Sequence, residues 1–190
     1  MPPAAPETYH FSPTPHVPNS TLPVLLYRNV LPHPPDAASV QAFIEPNRWL
    51  RGGVFKTVTT HHFHSLTHEC YAVFRGSSTL LLGRGPLDCA DEAAATVVEV
   101  EEGDVIILPA GVAHCSLDSA HDYEYMGLYP EGSPHWDNNW CKADAQETAA
   151  KAANAAKVPV PSDDPIYGRG GPLCSIWGDF ERERGGEGVL

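Results

Sequence analysis

The sequence has no apolar run long enough to cross a membrane and no basic, apolar start of the kind that directs secretion. Its longest apolar clusters, such as residues 79–82, have the length of a β-strand, whereas a membrane helix needs about 20 apolar residues. The first seven residues, Met-Pro-Pro-Ala-Ala-Pro-Glu, lack the positive charge that opens a signal peptide. These absences predict a cytoplasmic protein without a membrane partner.

Positive charge is scarce along the whole chain. Lysine and arginine number 12 against 24 aspartates and glutamates, which gives a formal net charge of −12. Such a field repels a phosphate backbone, so we expect no nucleic-acid partner. The excess of acidic residues is typical of a well-solvated surface.

Cysteine pairs are also missing. The five cysteines are an odd number, and no two of them form a Cys-x-x-Cys motif. This argues against a disulfide framework and against a thiolate zinc site. Cys70 and Cys115 each follow a candidate metal ligand described below. Because neighbours on a strand point to opposite faces, both thiols are expected to face away from the metal.

What the sequence does contain is many short β-type segments. The 19 prolines and 16 glycines separate stretches of β-branched and aromatic residues. Strands are predicted at 24–27, 54–64, 70–74, 78–82, 96–100, 105–108 and 123–129. Short strands at this spacing predict an all-β sandwich or barrel, and 190 residues fit one domain.

Two helices and two arms are expected around these strands. Residues 37–45 could form a two-turn helix capped by Asp36, and the alanine-rich residues 143–157 form a helix that begins with a capping pair, Asp144 and Glu147. The predicted division is an N-terminal arm over 1–45, a barrel core over 46–130, and a C-terminal helix with a turn-rich arm over 131–190.

The histidines are unevenly placed. Residues i and i+2 of a strand share a face, so His62 and His64 project together while His61 points the other way. Glu69 opens the next strand after a turn, and His114 follows a Pro-Ala-Gly turn about fifty residues later. Three imidazoles and one carboxylate in this order predict a site for one divalent metal ion.

Written out, these segments resemble the two sequence motifs of the cupin superfamily. The first is His62-x-His64, four residues, Glu69, six residues, Gly76; the second is Gly103, five residues, Pro109-x-Gly111, two residues, His114. Lys56 and Asp118 depart from the pattern at positions that do not bind metal. The resemblance implies a cupin double-stranded β-helix, a jelly-roll barrel, with the metal inside.

The resemblance extends beyond the motifs and is greatest to the YjlB-like branch of uncharacterised cupins. The matching stretches are distributed along most of the chain and lie at residues 18–19, 23–27, 61–65, 68–69, 129–130, 164–168 and 171–173. The resemblance implies a protein that is often a homodimer, and it names no substrate.

The chemical type of the four ligands limits which metal ion the site could bind and which reactions it could support. Three imidazoles and a carboxylate suit Fe(II), which we favour, and also Mn(II), Ni(II), Co(II) or Zn(II). Four protein ligands leave one or two positions open for a small-molecule substrate or dioxygen. The leading hypothesis is a metal-dependent enzyme, most readily an Fe(II)-type dioxygenase. A lyase, decarboxylase or isomerase also fits, as does a non-catalytic small-molecule or metal-binding cupin.

Three neighbours of the ligands are candidate catalytic residues. If the strand after Glu69 has no bulge, Tyr71 and Arg75 share its inward face. Tyr71 could then donate a hydrogen bond to the substrate and Arg75 could attract a carboxylate, although the plainer interpretation, a core tyrosine and a rim arginine, is favoured for each. His68 could act as a hydrogen-bonding or acid/base group, or could face water.

The proline-rich segment over residues 2–27 bears on assembly. Its prolines argue against a central strand, yet Leu25 and Tyr27 are too apolar to remain in water. These side chains could be buried on the same barrel or on that of a neighbour. The family resemblance favours the neighbour and therefore a two-fold homodimer.

Overall fold

The computed structural model describes residues 5–89 and 95–186. This part is mostly β sheet, with few helices. Its strands are β1 Glu7–Tyr9, β2 Val24–Tyr27, β3 Trp49–Phe55, β4 Glu69–Leu82, β5 Thr96–Glu101, β6 Val105–Leu108, β7 His114–Pro130, β8 Asp163–Asp164 and β9 Gly168–Arg169. Its α-helices are α1 Ala37–Ile44, α2 Ala145–Ala155 and α3 Pro172–Gly186, and a short 3-10 turn over Glu45–Asn47 follows α1.

Strand β4 organises the main antiparallel sheet. The strand order is β1-β2-β6-β4-β7-β3, and β5 also pairs with β4. One edge of β4 pairs with β7 from Cys70 to Leu82, while its other edge pairs first with β6 and then with β5. The register shifts near Gly76, whose φ of +65° is costly for other residues. At this bend one edge of β4 changes its partner from β6 to β5, while the other edge remains paired with β7.

Three strand predictions need correction. The segments predicted at 70–74 and 78–82 form one strand, β4, and residues 123–129 are the end of the long β7. The strand predicted over 54–64 is wrong, because β3 ends at Phe55 and only two isolated bridges follow, at residues 62 and 63. The glycine at 76 suggested a break, whereas it accommodates a bulge in a continuous strand.

The two faces of β4 contact different cores. Cys70, Ala72 and Phe74 pack in a cluster with Trp49 and Trp177, and we call this the helix face. Glu69, Tyr71 and Val73 point the other way, toward a second cluster that includes Tyr125, and we call this the site face. Period-two alternation along one strand therefore separates an apolar core from the candidate site.

The two predicted helices are confirmed. Asp36 accepts a hydrogen bond from the backbone N–H of Ser39, and the Ser39 hydroxyl completes a capping box for α1. Asp144 accepts one from the N–H of Glu147 at the start of α2. In both places a carboxylate satisfies a backbone donor that the first helical turn leaves free.

The predicted C-terminal arm is wrong in part, because a hairpin of β8 and β9 leads into a third helix, α3. Pro172 suits the first helical position, and Leu173 and Trp177, four residues apart, are buried in the helix-face cluster. The buried Asp164 carboxylate accepts hydrogen bonds from Leu173 N–H and from the Tyr27 hydroxyl. Residues 187–190 of the predicted arm lie outside the described residues.

The N-terminal segment is part of the sheet. β2 lies between β1 and β6, and Pro23 precedes it, so the strand's hydrogen bonds are intact. Leu25 and Tyr27 are buried within the same chain. The expectation that they need a neighbouring subunit is therefore wrong, and the homodimer remains a prediction without this support.

Two further expectations concern the thiols and the membrane. All five cysteines, each within the described ranges, have free thiols, and Cys70 and Cys115 are buried. Burial raises the pKa of both thiols, as expected for side chains packed away from water. Of the helices in residues 5–89 and 95–186, none is both long enough and apolar enough to span a membrane.

Candidate metal centre

Four buried side chains converge on one point beside the site face. His62, His64, Glu69 and His114 each offer a ligand atom, and these atoms lie within 4.8 Å of one another. Backbone hydrogen bonds between His62 and His114 hold the first ligand segment against the start of β7. This confirms that the four residues form a buried cluster that could bind a divalent metal ion.

Backbone carbonyls orient all three imidazoles. The Nδ1 atoms of His62, His64 and His114 lie 2.9, 2.6 and 3.0 Å from the carbonyl oxygens of Thr60, Asp137 and Val112, respectively. A carbonyl oxygen only accepts, so each Nδ1 carries the proton and donates it. The lone pair of each neutral ring is consequently on Nε2, the nitrogen that we expect to bind the metal.

The distances around Glu69 fit a shared cation. Its Oε2 lies 2.9 Å from His64 Nε2 and 3.3 Å from His114 Nε2. Lone pairs of neutral imidazoles and a carboxylate repel one another unless a proton or a cation lies between them. An ion with bonds of about 2.1 Å places adjacent ligands about 3.0 to 3.4 Å apart. Within the described residues, His114 Nε2 has no hydrogen-bond partner of normal geometry.

Electrostatics keep two ligands in their metal-binding forms. Burial, followed by repulsion from His114, lowers the pKa of His62 to about 3, so that ring is neutral near pH 7. Burial alone would raise the pKa of Glu69, but the neighbouring His64 and His114 outweigh it and hold the pKa below its ordinary value. Burial likewise acts to lower the pKa of His64, and Glu69 reverses this effect and raises it.

The second oxygen of Glu69 is held by a tyrosine that sequence reasoning did not assign to the site. The Tyr129 hydroxyl donates a 2.5 Å hydrogen bond to Oε1. The Tyr129 ring stacks on Trp136, with centroids 4.5 Å apart and planes 7° apart. Gly52 leaves room for this pair, since a Cβ there would lie 2.4 Å from the tyrosine ring. Tyr129 lies fifteen residues after His114, an odd spacing that simple alternation assigns to the opposite face, so no local pattern in the sequence indicated it.

Asp137 is the other residue missed by sequence reasoning. Its carboxylate accepts hydrogen bonds from the N–H and hydroxyl of Ser65, from the N–H of Leu66 and from the Asn139 side chain. Burial acts to raise the pKa of Asp137, but these hydrogen bonds, led by Ser65, lower it. Because its carbonyl also accepts from His64, one residue fixes both the ligand and the turn after it. The cluster of tryptophan, aspartate and asparagine at 136–140 was the available signal.

A cavity of about 150 Å³ opens beside the cluster. Its walls are mainly aromatic, and no lysine or arginine of the described chain lines it. Apart from the metal-ligand candidates, the lining side chains are Phe55, Val58, Tyr71, Tyr125, Tyr129, Trp136, Asn138 and Trp140. The site therefore combines a polar floor with a largely apolar space above it.

Tyr71 lies where the alternation along β4 predicts it. Its ring packs edge-on against His114, with centroids 5.6 Å apart, and stacks on Tyr125 at 3.8 Å. Burial raises the pKa of the Tyr71 hydroxyl, so it is a neutral donor at ordinary pH. This position is compatible with the predicted contact to a substrate, and the catalytic role itself stays a prediction.

The structure does not bring Arg75 or His68 to the cavity. A register shift between Val73 and Arg75 turns the arginine outward, where its half-exposed side chain pairs with Glu124 at 3.0 Å. His68 is buried with its ring 4.7 Å from Trp177, and its Nδ1 accepts a hydrogen bond from the Ala110 N–H. Burial lowers the His68 pKa to about 4. Any catalytic role of either residue remains a prediction, without support from position.

Comparison with known proteins found a relative in sequence and a weakly similar solved structure. The chain is 30% identical over 172 residues to the uncharacterized protein YjlB of Bacillus subtilis (strain 168), a match that covers 90% of this chain and 96% of that protein. The structure of RmlC from Streptococcus suis in complex with dTDP-D-xylose aligns with a TM-score of 0.35 and 13% identity, covering 72% of this chain and 74% of RmlC. That TM-score is too low to establish a shared fold. No family model matches the chain.

Proposed function

The chain belongs to the family of the Bacillus subtilis protein YjlB, and from this premise we propose that it is a metal-dependent cupin enzyme that acts on a small organic molecule, with the chemistry of an Fe(II)-type dioxygenase. The observation that carries the proposal is the buried cluster of three imidazoles and one carboxylate beside a cavity with aromatic walls. Such a donor set with open positions is typical of catalytic metal sites.

The proposed cupin fold is supported by the agreement between sequence motifs and structure. The four residues that the two motifs assign to the metal are the same four whose ligand atoms converge. Moreover, the long pairing of β4 with β7 joins the first motif to the second. A double-stranded β-helix explains why ligands separated by about fifty residues meet.

In the proposed reaction the residues of the protein bind the substrate, orient it and keep water away from the metal. A bound Fe(II) ion would supply open coordination positions for the substrate and for dioxygen. Tyr129 fixes the Glu69 carboxylate, and the carbonyl contacts fix the imidazole rings. Tyr71 lines the cavity, and in the proposed reaction its hydroxyl would donate to a bound substrate while the aromatic side chains displace water from it.

The first test is metal content after purification without chelators. We expect about one divalent ion per chain, and His64→Ala should lose most of it because the variant removes one of four ligands. His61→Ala is the matched control, since the His61 ring contacts the Arg84 carbonyl at 3.0 Å and is not one of the four. Equal metal content in the two variants would reject the proposed ligand set.

The second test is oxygen uptake by anaerobically iron-loaded protein that is offered a panel of small organic compounds. Uptake that depends on both iron and compound, and that disappears in His64→Ala, supports a dioxygenase. Conversion of a compound without oxygen uptake would instead assign the site to a lyase, decarboxylase or isomerase.

A further inference from the structure

We propose that the cavity beside the metal cluster selects a flat, single-ring molecule that carries a phenol- or enol-type hydroxyl and no phosphate or carboxylate. This inference rests on the proposed function in one respect, because the hydroxyl oxygen is the group offered to the metal. It goes further by naming the class of substrate. Three properties of the site carry it: its size, its walls and its charge.

The size of the cavity limits the substrate to about one ring. Its volume is about 150 Å³, and a cavity of roughly 150 Å³ is sufficient to bind benzene. A nucleotide sugar or a peptide is much larger and would have to extend outside. The reacting part of the substrate should therefore be no larger than a substituted six-membered ring.

The walls are flat aromatic side chains, and glycines in the neighbouring backbone leave room for them. A Cβ at Gly127 would lie 2.8 Å from the Phe55 ring, and one at Gly52 would lie 2.4 Å from Tyr129 and 2.9 Å from Trp136. Contacts this short do not occur, so these positions require glycine as long as the rings stay in place. A planar ligand can stack on or meet such rings edge-on, a preference that a puckered aliphatic ring lacks.

The charges around the cavity disfavour anionic substituents. No lysine or arginine among the described residues lines it. Lys56, next to the lining residue Phe55, and Arg75 both pair with Glu124, at 3.5 and 3.0 Å. With the hydroxyl oxygen on the metal, a further phosphate or carboxylate elsewhere on the substrate would therefore lose its hydration without gaining a cationic partner, which is costly in a buried site.

The charge of the metal centre itself favours one ionised hydroxyl. A divalent ion, one ionised Glu69 and three neutral imidazoles sum to +1 in a buried cluster. One phenolate or enolate oxygen neutralises this charge, whereas a neutral alcohol leaves it uncompensated. An ion that accepts one ligand beyond the four protein donors can bind this oxygen, and zinc does so by becoming five-coordinate.

The test measures binding to zinc-loaded protein by titration calorimetry, because zinc supports no redox turnover. Catechol is the probe for the proposed class. The control ligand cis-cyclohexane-1,2-diol has the same two oxygens on a puckered ring that does not ionise, and glucose 6-phosphate adds a phosphate. We expect catechol to bind at least about tenfold more tightly than the diol, and glucose 6-phosphate not to bind. Equal affinity for catechol and the diol, or tighter binding of the phosphate ester, would overturn the inference.

Two variants test whether catechol binds in the cavity beside the metal cluster. Val58→Phe fills part of the cavity and should weaken catechol binding at least about tenfold without changing zinc content. Val97→Phe makes the same change on exposed β5 and should leave the affinity unchanged. If Val58→Phe does not fold, Trp140→Ala serves in its place, since this half-exposed residue forms part of the wall. Catechol affinity that neither cavity variant changes would place the binding elsewhere and refute the proposal.

Failure of this inference and failure of the proposed function give different results. Catechol binding to the zinc protein without oxygen uptake by the iron protein rejects the dioxygenase and retains the substrate class. Oxygen uptake that is driven only by aliphatic or phosphorylated compounds retains the dioxygenase and rejects the substrate class.

Discussion

The two faces of β4 show how one strand serves two purposes. On the site face, Glu69 and Tyr71 contact a cluster of imidazoles and a cavity. On the helix face, Cys70 and Ala72 pack in an apolar core that includes Trp177 of α3. Alternation along the strand separates the residues that hold the sheet together from those that carry chemistry. A substitution on one face should therefore affect stability and one on the other should affect metal binding.

His64 and His68 show the same contrast between the candidate site and the apolar core, within five residues of sequence. Both are buried, at 4% and 1% exposure. His64 faces a carboxylate that raises its pKa, whereas His68 lies against Trp177, where burial lowers its pKa to about 4. Proximity in sequence to a metal ligand thus says little about function here, because the turn over residues 64–68 lies outside the strands and directs the two rings to different surroundings.

The largest expected effect is on the helix face. Trp177→Ala removes a fully buried ring and its hydrogen bond to the Pro23 carbonyl, 2.9 Å away. A large-to-small change of this kind costs about 3–5 kcal/mol of unfolding free energy, which urea denaturation would measure. Trp140→Ala, at a half-exposed position, is the control and should cost about 1 kcal/mol or less. A similar loss for both tryptophans would contradict the assignment of the stabilising core to the helix face.

An intermediate effect is expected where a loop supports the site face. Asp137→Ala removes four hydrogen bonds that fix the turn after His64, so the ring orientation becomes less defined. Loss of such a supporting residue typically weakens metal affinity about 10- to 100-fold, which competition with a chelator would measure. Asp118→Ala, at an exposed site on β7, should change the affinity less than about twofold. An unchanged affinity in Asp137→Ala would mean that the backbone alone orients His64.

The smallest effect is expected where the alternation along β4 ends. Arg75 follows the register shift and forms an exposed ion pair with Glu124, and such pairs are worth about 0–1 kcal/mol. Arg75→Ala should therefore change the unfolding free energy by less than about 0.5 kcal/mol and leave metal content unchanged. Loss of metal in this variant would show that the inward face continues past the bulge.

The metal cluster could be predicted from the sequence because its spacing has a local physical basis. His62 and His64 share a face by alternation, and turns precede Glu69 and His114. The supporting residues could not be predicted in the same way. Asp137 and Tyr129 reach the site through the fold, from segments 60 to 70 residues away, and no local pattern specifies that approach.

The errors in the fold prediction have a shared cause. The sequence pattern predicts a break between two strands at Gly76, and the prolines of residues 2–27 argue against a central strand. Gly76 instead lies in a bulge within β4, and Pro23 precedes the internal strand β2. α3 was missed because its first residues follow glycines and its buried side chains are few. In each case tertiary packing decided the secondary structure, because Leu25, Tyr27 and Trp177 are buried against elements that are distant in sequence.

The pairing of β2 with β6 has a consequence for how the chain folds during synthesis. Leu25 pairs opposite Ile107, so β2 has only the three-residue β1 as a partner until more than eighty further residues have left the ribosome. The His64 ring likewise cannot form its hydrogen bond to the Asp137 carbonyl until residue 137 has been synthesised. Contacts this distant along the chain make folding slow, because the entropy of closing long loops is lost before the contacts can stabilise the chain. The apolar β2 is therefore exposed early, and metal loading belongs to the end of folding and not to its beginning.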